Sequence, residues 1–143
     1  MNVVVETITK GTLEITAGRA TIRVDRSDDP DAISFHSVDL FLAGLGSCMV
    51  GTMLDAAELA GISVGNVRVE LRPIISFQPE RVSKIKMKMF VDGEITEAQA
   101  KELKLAAESC KVHNSLHDGV LTELDLIAQG QSSSEIGSAT HEH

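Results

Sequence analysis

The sequence predicts an α+β fold with the element order βββ-α-ββ-α-β, and three observations predict it. Short runs of alternating apolar and polar residues open the chain, a long apolar segment with helical spacing follows, and two longer alternating runs come next. Alternation with a period of two indicates strands, and strands joined by short turns pair antiparallel. We therefore expect antiparallel sheets around one long, buried central helix.

The first three predicted strands form a β-meander around residues 3–10, 13–15 and 21–25, with Gly11 and Gly18 at the breaks. Residues 26–36 lose this alternation and predict a polar loop. The long helix is then predicted to begin with Ser37 as its N-cap, and Asp39 stands in the first turn, where an anion favours the helix dipole. Gly61 is a typical residue just past a helix end and places that end at about residue 60.

The central helix is unusually rich in small residues. Glycine costs about 0.5–1 kcal/mol in a helix interior, so several glycines in one helix need a packing or functional reason. The pattern therefore predicts that something packs very close to it. The longest apolar stretch, residues 40–54, is shorter than the roughly 18 residues that cross a bilayer, which favours a buried helix over an anchor. The small residues are Ala43, Gly44, Gly46, Ser47 and Gly51.

The second half of the chain predicts two strands, a helix and a last strand. Residues 67–77 and 85–91 alternate, and Pro73 predicts an edge position or a bulge in the first of them. Thr96 and Gln99 make a capping box for a second helix, which we expect to end near Cys110. A strand over residues 120–128 follows. We predict one domain over residues 1–128 and a flexible C-terminal tail over residues 129–143.

Composition and charge exclude several function classes. The net charge is −8, with 21 acidic and 13 basic residues, which opposes a role on nucleic acid or an anionic membrane. The first residues show no secretory signal, so we expect a cytoplasmic protein. Two cysteines in a chain without export features predict reduced thiols, used for chemistry or metal binding. The nucleotide-binding glycine motifs and the serine-hydrolase motif are missing, and we expect no cofactor.

The two cysteines are the candidate reactive residues, and each has a structural alternative. Cys48 stands near the middle of the apolar helix and could be a small core residue. Cys110 stands where the second helix is predicted to end and could equally be a packing residue. Cys110 and His113 also form a C-x-x-H pair that a zinc site could use, although one pair alone is weak evidence. Its possible completions are Cys48, His36 and His117.

Two segments that contain these cysteines resemble the OsmC/Ohr family, named for osmotically inducible protein C and organic hydroperoxide resistance protein. The family pattern P-x-E-L-L-L-A-A-L-G-S-C is similar to SVDLFLAGLGSC at residues 37–48. The later pattern C-P-V-x-N-T-L is similar to CKVHNSL at residues 110–116. The likeness covers about residues 11–128 and includes the strand pair and the helix between the two motifs.

The resemblance implies an intertwined homodimer of OsmC-like fold, with the two central helices packed together and the sites at the interface. It implies that Cys48 attacks a hydroperoxide and that Cys110 resolves the sulfenic acid as a disulfide. An external dithiol, for which a lipoyl-type dithiol is one candidate, would then reduce that disulfide. No nucleic-acid or membrane partner and no metal are implied.

A thiol attacks as its thiolate, so a positive charge must lower the pKa of Cys48 from about 8.5. The middle of a helix gives little dipole help, and we therefore expect an arginine beside it. Arg19 resembles the arginine of a G-R stretch in the family, and Arg26 begins the polar loop and could fold over the site. Arg23, on the third predicted strand, is a further candidate. Asp39 stands in the place of the family's glutamate. Asp39 could instead act only as an anion at the helix start. Asp39, Ser37 and Lys111 all depart from the family pattern, which has Glu, Pro and Pro at these positions.

Three hypotheses follow from the sequence. The first is a two-cysteine thiol peroxidase that acts on organic hydroperoxides in oxidative stress. The second is an OsmC-like protein that binds a small apolar or thiol-bearing molecule without efficient peroxidase activity. The third is a structural, interaction or zinc-binding domain.

Overall fold

The computed structural model describes residues 2–27, 29–31, 33–130 and 138–142 and confirms a mixed α+β fold with antiparallel sheets. The meander, the long helix, the strand pair and the second helix occur in the predicted order. The elements are β1 Val3–Thr9, β2 Thr12–Ala17, β3 Ala20–Asp25, α1 Ser37–Ala60, β4 Val67–Ser76, β5 Arg81–Val91, α2 Glu97–Ala107, α3 Lys111–Asp118, β6 Glu123–Ile127 and β7 Ser138–Glu142.

The core forms where one face of α1 meets α2, α3 and the β4–β5 ladder. Residues four apart share a helix face, so a single stripe of α1 is buried. The alternating apolar residues of β4 and β5 pack against it, as period-two patterning requires. The buried members of this core are Leu45, Met49, Met53, Ala57, Ile62, Leu103, Ala107 and Cys110.

Close packing explains only part of the small-residue pattern of α1. A Cβ added at Gly46 would lie 2.9 Å from Leu71 Cδ1 and 3.3 Å from Val69 Cγ1, so β4 approaches the helix because no side chain is present there. An added Cβ at Gly44 or Gly51 would meet no atom within 4 Å. Contacts within the described chain therefore explain the glycine at position 46. They do not explain the glycines at positions 44 and 51.

The start of α1 corrects one prediction, because His36 rather than Ser37 is the N-cap. His36 has an extended backbone (φ −90°, ψ 165°), and its N–H donates to Asp39 Oδ2 at 2.8 Å. In a capping box, the side chain of the third helical residue accepts the N–H of the N-cap residue. Asp39 reaches the N–H of His36, so His36 is the N-cap.

The end of α1 and the start of α2 agree with the sequence. Gly61 adopts a left-handed conformation (φ 69°), and the Ile62 N–H donates to the Ala57 carbonyl at 2.9 Å, which closes a Schellman motif. The predicted capping box of α2 is confirmed, since Thr96 and Gln99 exchange hydrogen bonds of 3.0 and 3.1 Å.

The β4–β5 ladder contains the irregularity that Pro73 predicts. The register shifts between Ile74 and Ile75, directly after the proline, which has no N–H to donate to the ladder. Before this shift the pairing is regular from Val67 opposite Val91 onward.

The C-terminal half differs from the prediction in three ways. The helix expected to end near Cys110 ends at Ala107, and the unpredicted helix α3 begins after Cys110. The last predicted strand is shorter than residues 120–128, because β6 spans only Glu123–Ile127. The unpredicted strand β7 pairs with β6 inside the predicted tail. Residues 131–137 and 143 of that tail lie outside the described residues, and its flexibility stays a prediction.

In two of the three sheets, the backbone makes no close approach to the helical core in the described part of the chain. No Cα atom of β1–β3 or of β6–β7 lies within 8 Å of α1, α2, α3, β4 or β5. Both outer sheets nevertheless carry exposed apolar side chains, and a small sheet needs a covered apolar face to be stable. These exposed residues are Val3, Val4, Val5, Ile8, Ile22, Leu124, Leu126 and Ile127.

Helix α1 is the one described helix that is long and apolar enough to cross a membrane by length and composition. The core helix of a folded domain meets the same criterion. Here α1 contacts α2, α3 and β4, and its stripe from Leu45 to Ala57 lies in the core. The predicted absence of a membrane role stays a prediction.

Leu103→Ala is expected to destabilise the protein by about 2–5 kcal/mol, since Leu103 is 4% exposed and its removal leaves a core cavity. The matched control is Leu105→Ala in the same helix, where the side chain is 70% exposed and the expected change is within about 0.5 kcal/mol. Urea unfolding measures both free energies. Equal losses in the two variants would contradict this packing of α2.

Candidate active site

The structure brings the two cysteines together, although 62 positions of chain separate their residue numbers, 48 and 110. The middle of α1 holds Cys48, which is half-buried, and Cys110 is the N-cap of α3 and only 1% exposed. Both are free cysteines, and the Cys110 thiol is a hydrogen-bond donor to the Cys48 sulfur. Their catalytic roles stay predictions.

The first turn of α3 is directed at both sulfurs. The Val112 N–H, and more weakly the Lys111 N–H, interact with Cys48, and the His113 N–H donates to Cys110 Sγ at 3.3 Å. The first N–H groups of a helix have no partner within the helix and carry its positive dipole end, so they favour an anion. A short helix thus places its N-terminus on a thiol pair.

These contacts set the pKa of Cys48. The Val112 N–H, followed by the Cys110 thiol, lowers the pKa of Cys48 below its ordinary value, and burial offsets part of this effect. The Lys111 N–H and the Thr52 hydroxyl lower it further. Each of these groups is a hydrogen-bond donor to the charged form, and such donors stabilise the thiolate.

Cys110 is affected in the opposite direction. Burial, the largest cause, raises the pKa of Cys110, and the neighbouring Cys48 raises it further by hydrogen bonding and by its charge. The His113 N–H opposes this increase. Of the two thiols, Cys48 therefore loses its proton first, and Cys110 stays a neutral thiol that donates to it.

The described chain supplies donors to the thiolate that the sequence analysis did not anticipate. The groups that lower the pKa of Cys48 in the described chain are backbone N–H groups, a thiol and a hydroxyl. The family pattern has proline at the position of Lys111, and proline has no N–H. Lys111 therefore contributes a donor that the family pattern lacks.

The predicted arginines have other surroundings within this chain. Arg26 Nη1 donates to the Lys10 carbonyl at 2.8 Å, and Arg19 is exposed in the turn between β2 and β3. Arg23 pairs with Glu14 at 3.5 Å. No arginine of the described chain is among the main causes of the lowered pKa of Cys48. A role for Arg19 or Arg26 beside the thiol stays a prediction.

Asp39 occupies the helix-start position that the sequence analysis left as its alternative role. Its Oδ2 accepts the His36 N–H at 2.8 Å and lies 3.3 Å from His36 Nδ1. Nine helical residues separate Asp39 from Cys48, which is two and a half turns, or about 14 Å, and places them on opposite faces. The chain does not bring this carboxylate to the thiol.

The zinc hypothesis loses its ligand set in this arrangement. His36 Nε2 donates to the Ser27 carbonyl at 2.8 Å, at the start of α1. Within the described ranges, no group of three or more histidine, cysteine or acidic side chains could hold a metal ion. Cys110 and His113 are joined through sulfur and a backbone N–H.

An open recess of about 550 Å³ lies between α1, β5 and α3, beside the thiols. Phe41 and Leu45 of α1 line one side, and Leu45 stands about one turn before Cys48. His113, whose N–H caps Cys110, lines the α3 side. A second cavity, of about 470 Å³, lies between α1, α2, β4 and β5. Neither cysteine is among the lining residues of either cavity.

Sequence reasoning missed the residues that act through their backbone. Lys111, Val112 and His113 contribute N–H groups, which no side-chain motif reveals. The available signal was Gly119 after the short segment, because a glycine often follows the end of a helix. A helix start directly after Cys110 would have indicated dipole stabilisation of the thiols.

The fold and the site define an α+β protein with a two-cysteine centre at a helix N-terminus. The chain belongs to the OsmC-like family, since the family model described as OsmC-like protein matches residues 28–125. This confirms the resemblance found in the sequence. No protein with a curated description matches the chain.

Solved structures support the fold at low sequence identity. An OsmC-like protein from Mycoplasma pneumoniae is 17% identical with a TM-score of 0.74, over 81% of this chain and 86% of that chain. An OsmC-like protein of unknown function from Vibrio cholerae is 20% identical with a TM-score of 0.67, over 80% and 91%. An organic hydroperoxide resistance protein OsmC from Legionella pneumophila is 17% identical with a TM-score of 0.59, over 81% and 89%.

Lys111→Pro is expected to raise the pKa of Cys48, because it removes one N–H donor while leaving the fold intact. Proline suits the first position of a helix, and Cys110 before it already has the extended backbone that proline requires (φ −70°, ψ 157°). The measurement is the pH dependence of Cys48 alkylation. In the parent protein the rate reaches half its maximum below pH 9.0, and in the variant this midpoint moves up.

Lys111→Ala is the matched control, since it removes the ammonium group and keeps the N–H. We expect its alkylation midpoint to stay at the parent value. An equal shift in the alanine and proline variants would mean that the lysine side chain, rather than its backbone N–H, stabilises the thiolate.

Proposed function

We propose that this protein is a thiol peroxidase that reduces organic hydroperoxides through Cys48 and Cys110. One observation carries the proposal. The N-terminal N–H groups of α3 and the Cys110 thiol all interact with the Cys48 sulfur and lower its pKa. A half-buried thiolate in contact with a second thiol has the two groups that such a reaction needs.

The reaction begins when the Cys48 thiolate attacks the terminal oxygen of the hydroperoxide. The O–O bond breaks, Cys48 becomes a sulfenic acid, and the leaving alkoxide takes a proton to become an alcohol. The Cys110 sulfur then attacks the Cys48 sulfur, a disulfide forms and water leaves. An external dithiol reduces this disulfide by exchange and is itself oxidised to a disulfide.

The coupling between the thiols supports this order of steps. Burial and the Cys48 charge both keep the pKa of Cys110 high in the reduced state, so Cys110 does not compete as the first nucleophile. Conversion of the Cys48 thiolate to a sulfenic acid removes that charge. Cys110 then ionises more readily at the stage when its own attack is required.

The family agrees with this chemistry. The chain is OsmC-like, and one structural neighbour is described as an organic hydroperoxide resistance protein. At 17% identity that neighbour supports the fold, and the activity proposed for this chain rests on its own thiols. Free thiols also favour a reducing compartment, and we propose a cytoplasmic location.

The alternative is an OsmC-like protein that binds a small molecule without efficient peroxidase activity. The open recess beside the thiols favours it, since its volume of about 550 Å³ is typical of small-molecule sites. Native mass spectrometry that finds a retained ligand, together with no peroxide consumption, would favour this alternative.

We further propose that the protein acts as a homodimer in which α1 of one copy packs on α1 of the other. Gly44 and Gly51 have open space where a Cβ would lie, although each costs helix stability. The two outer sheets expose apolar residues, and none of their Cα atoms lies within 8 Å of a helix Cα atom in the described chain. A second copy would cover both features.

The peroxidase proposal predicts different outcomes for the two cysteine variants. Cys48→Ser is expected to abolish consumption of cumene hydroperoxide, because the attacking sulfur is lost. Cys110→Ser is expected to lose turnover with a dithiol reductant but to accumulate a sulfenic acid at Cys48 that dimedone traps. Equal residual turnover in both variants, or survival of both free thiols after peroxide treatment of the parent protein, would contradict the proposal.

Gly51→Leu is expected to weaken the dimer, because a large side chain on the open face of α1 would separate two closely packed helices. Light scattering over a concentration series measures the dissociation. The control is Ala98→Leu, which adds the same side chain at an exposed position of α2. A parent protein that is monomeric at micromolar concentration, or two variants that dissociate equally, would rule out this interface.

A further inference from the structure

The recess beside the thiols has three nitrogen-bearing side chains in its lining. Lys84 lies on β5, and His113 and His117 lie on α3. The two histidines are four residues apart, so they share one face of the helix. Two neighbouring elements therefore present hydrogen-bond donors to the same recess.

The surroundings of the His113 ring indicate which of its two nitrogens carries the proton. Its Nδ1 is buried and has no hydrogen-bond partner in the described part of the chain. A buried N–H without an acceptor is rarer in proteins than an acceptor without a donor, so we assign the proton to Nε2. The Nε2–H group is then the donor that His113 can offer to a ligand.

The rest of the recess is mostly apolar. It is large enough for a small molecule, at about 550 Å³. An apolar enclosure with a few polar groups in its lining is the usual composition of a small-molecule site. Its main apolar residues are Phe41, Leu45, Ile85, Met87 and Leu116.

The charge of this lining is opposite to that of the whole protein. The chain has a net charge of −8, and a general surface of that sign repels anions. Lys84 and the two imidazoles form a local group of donors without an acidic residue in the lining. A carboxylate accepts from such donors, and hydrogen bonds between charged partners are the stronger kind.

We propose that this recess binds an apolar molecule that carries one carboxylate group. The carboxylate accepts hydrogen bonds from Lys84, His113 and His117, and the apolar part packs on the side that Phe41 and Leu45 line. Leu45 precedes Cys48 by about one helical turn, and neither cysteine is among the residues that line the recess. The binding itself requires neither sulfur, and it is therefore independent of the proposed peroxidase activity.

The probe for this site is decanoate, which has no peroxide group, and titration calorimetry of the reduced protein measures its binding. We expect saturable binding of one decanoate per chain, and at least tenfold weaker binding of decanol, which lacks the charge. Lys84→Gln is expected to weaken decanoate binding about tenfold, the effect of one hydrogen bond between charged groups. His117→Gln is a second variant that lies away from both thiols, and we expect a loss of about threefold or more from this partner.

Lys88→Gln is the matched control, since it removes the same charge from the same strand. Lys88 lies opposite Glu70 in the β4–β5 ladder and is absent from the recess lining. The affinity of this variant for decanoate is expected to stay within about twofold of the parent value. Equal binding of decanol and decanoate, or an equal loss in Lys84→Gln and Lys88→Gln, would overturn the carboxylate site.

A second copy of the chain is the competing occupant of the recess. Absence of saturable decanoate binding, together with a dimer whose dissociation Lys84→Gln changes, would overturn the proposal in favour of an interface. Cys48→Ser separates this proposal from the peroxidase. If that variant binds decanoate but does not consume peroxide, both proposals stand, whereas decanoate binding to a parent protein without turnover leaves only this one.

Discussion

The interaction on which the site depends is the meeting of the α3 N-terminus with two sulfurs. Three successive N–H groups reach them: Lys111 and Val112 act on Cys48, and Val112 and His113 act on Cys110. Cys110 thereby has two functions, because its sulfur caps the helix whose first turn stabilises the Cys48 thiolate. The relative position of α1 and α3 consequently sets the pKa of the reactive thiol, and the packing of the core fixes that position.

The two faces of α1 meet different requirements. One face is packed within the chain, where Gly46 lets β4 approach to a distance that a Cβ would prevent. The opposite face keeps Gly44 and Gly51 with open space around them. Cys48 is half-buried, with an environment between those of the two faces. It is close enough to the core to contact Cys110 and accessible enough for a small molecule. A reactive thiol needs both, because full burial raises its pKa and full exposure removes its donors.

Local patterns predicted most of the fold. Alternation located β4 and β5, Pro73 located the bulge, and the Thr96 capping box located the start of α2. Helix α3 was missed because it has only eight residues and begins at a cysteine, which is not among the usual N-cap residues. The two cysteines could be selected from the sequence. Their donors could not, since a backbone N–H has no sequence signature and its direction depends on tertiary packing.

The departures from the family pattern fit together in physical terms. The aspartate at position 39 is engaged by His36 at the helix start, about two and a half turns from the thiol. A role for it in orienting a guanidinium stays a prediction. Lys111 at the usual proline position supplies an N–H in exchange. An N–H held in a helix has a fixed direction, whereas an arginine must be ordered before it can act. In this chain the backbone of α3 therefore performs, without any ordering step, part of the stabilisation that a mobile cation would otherwise provide.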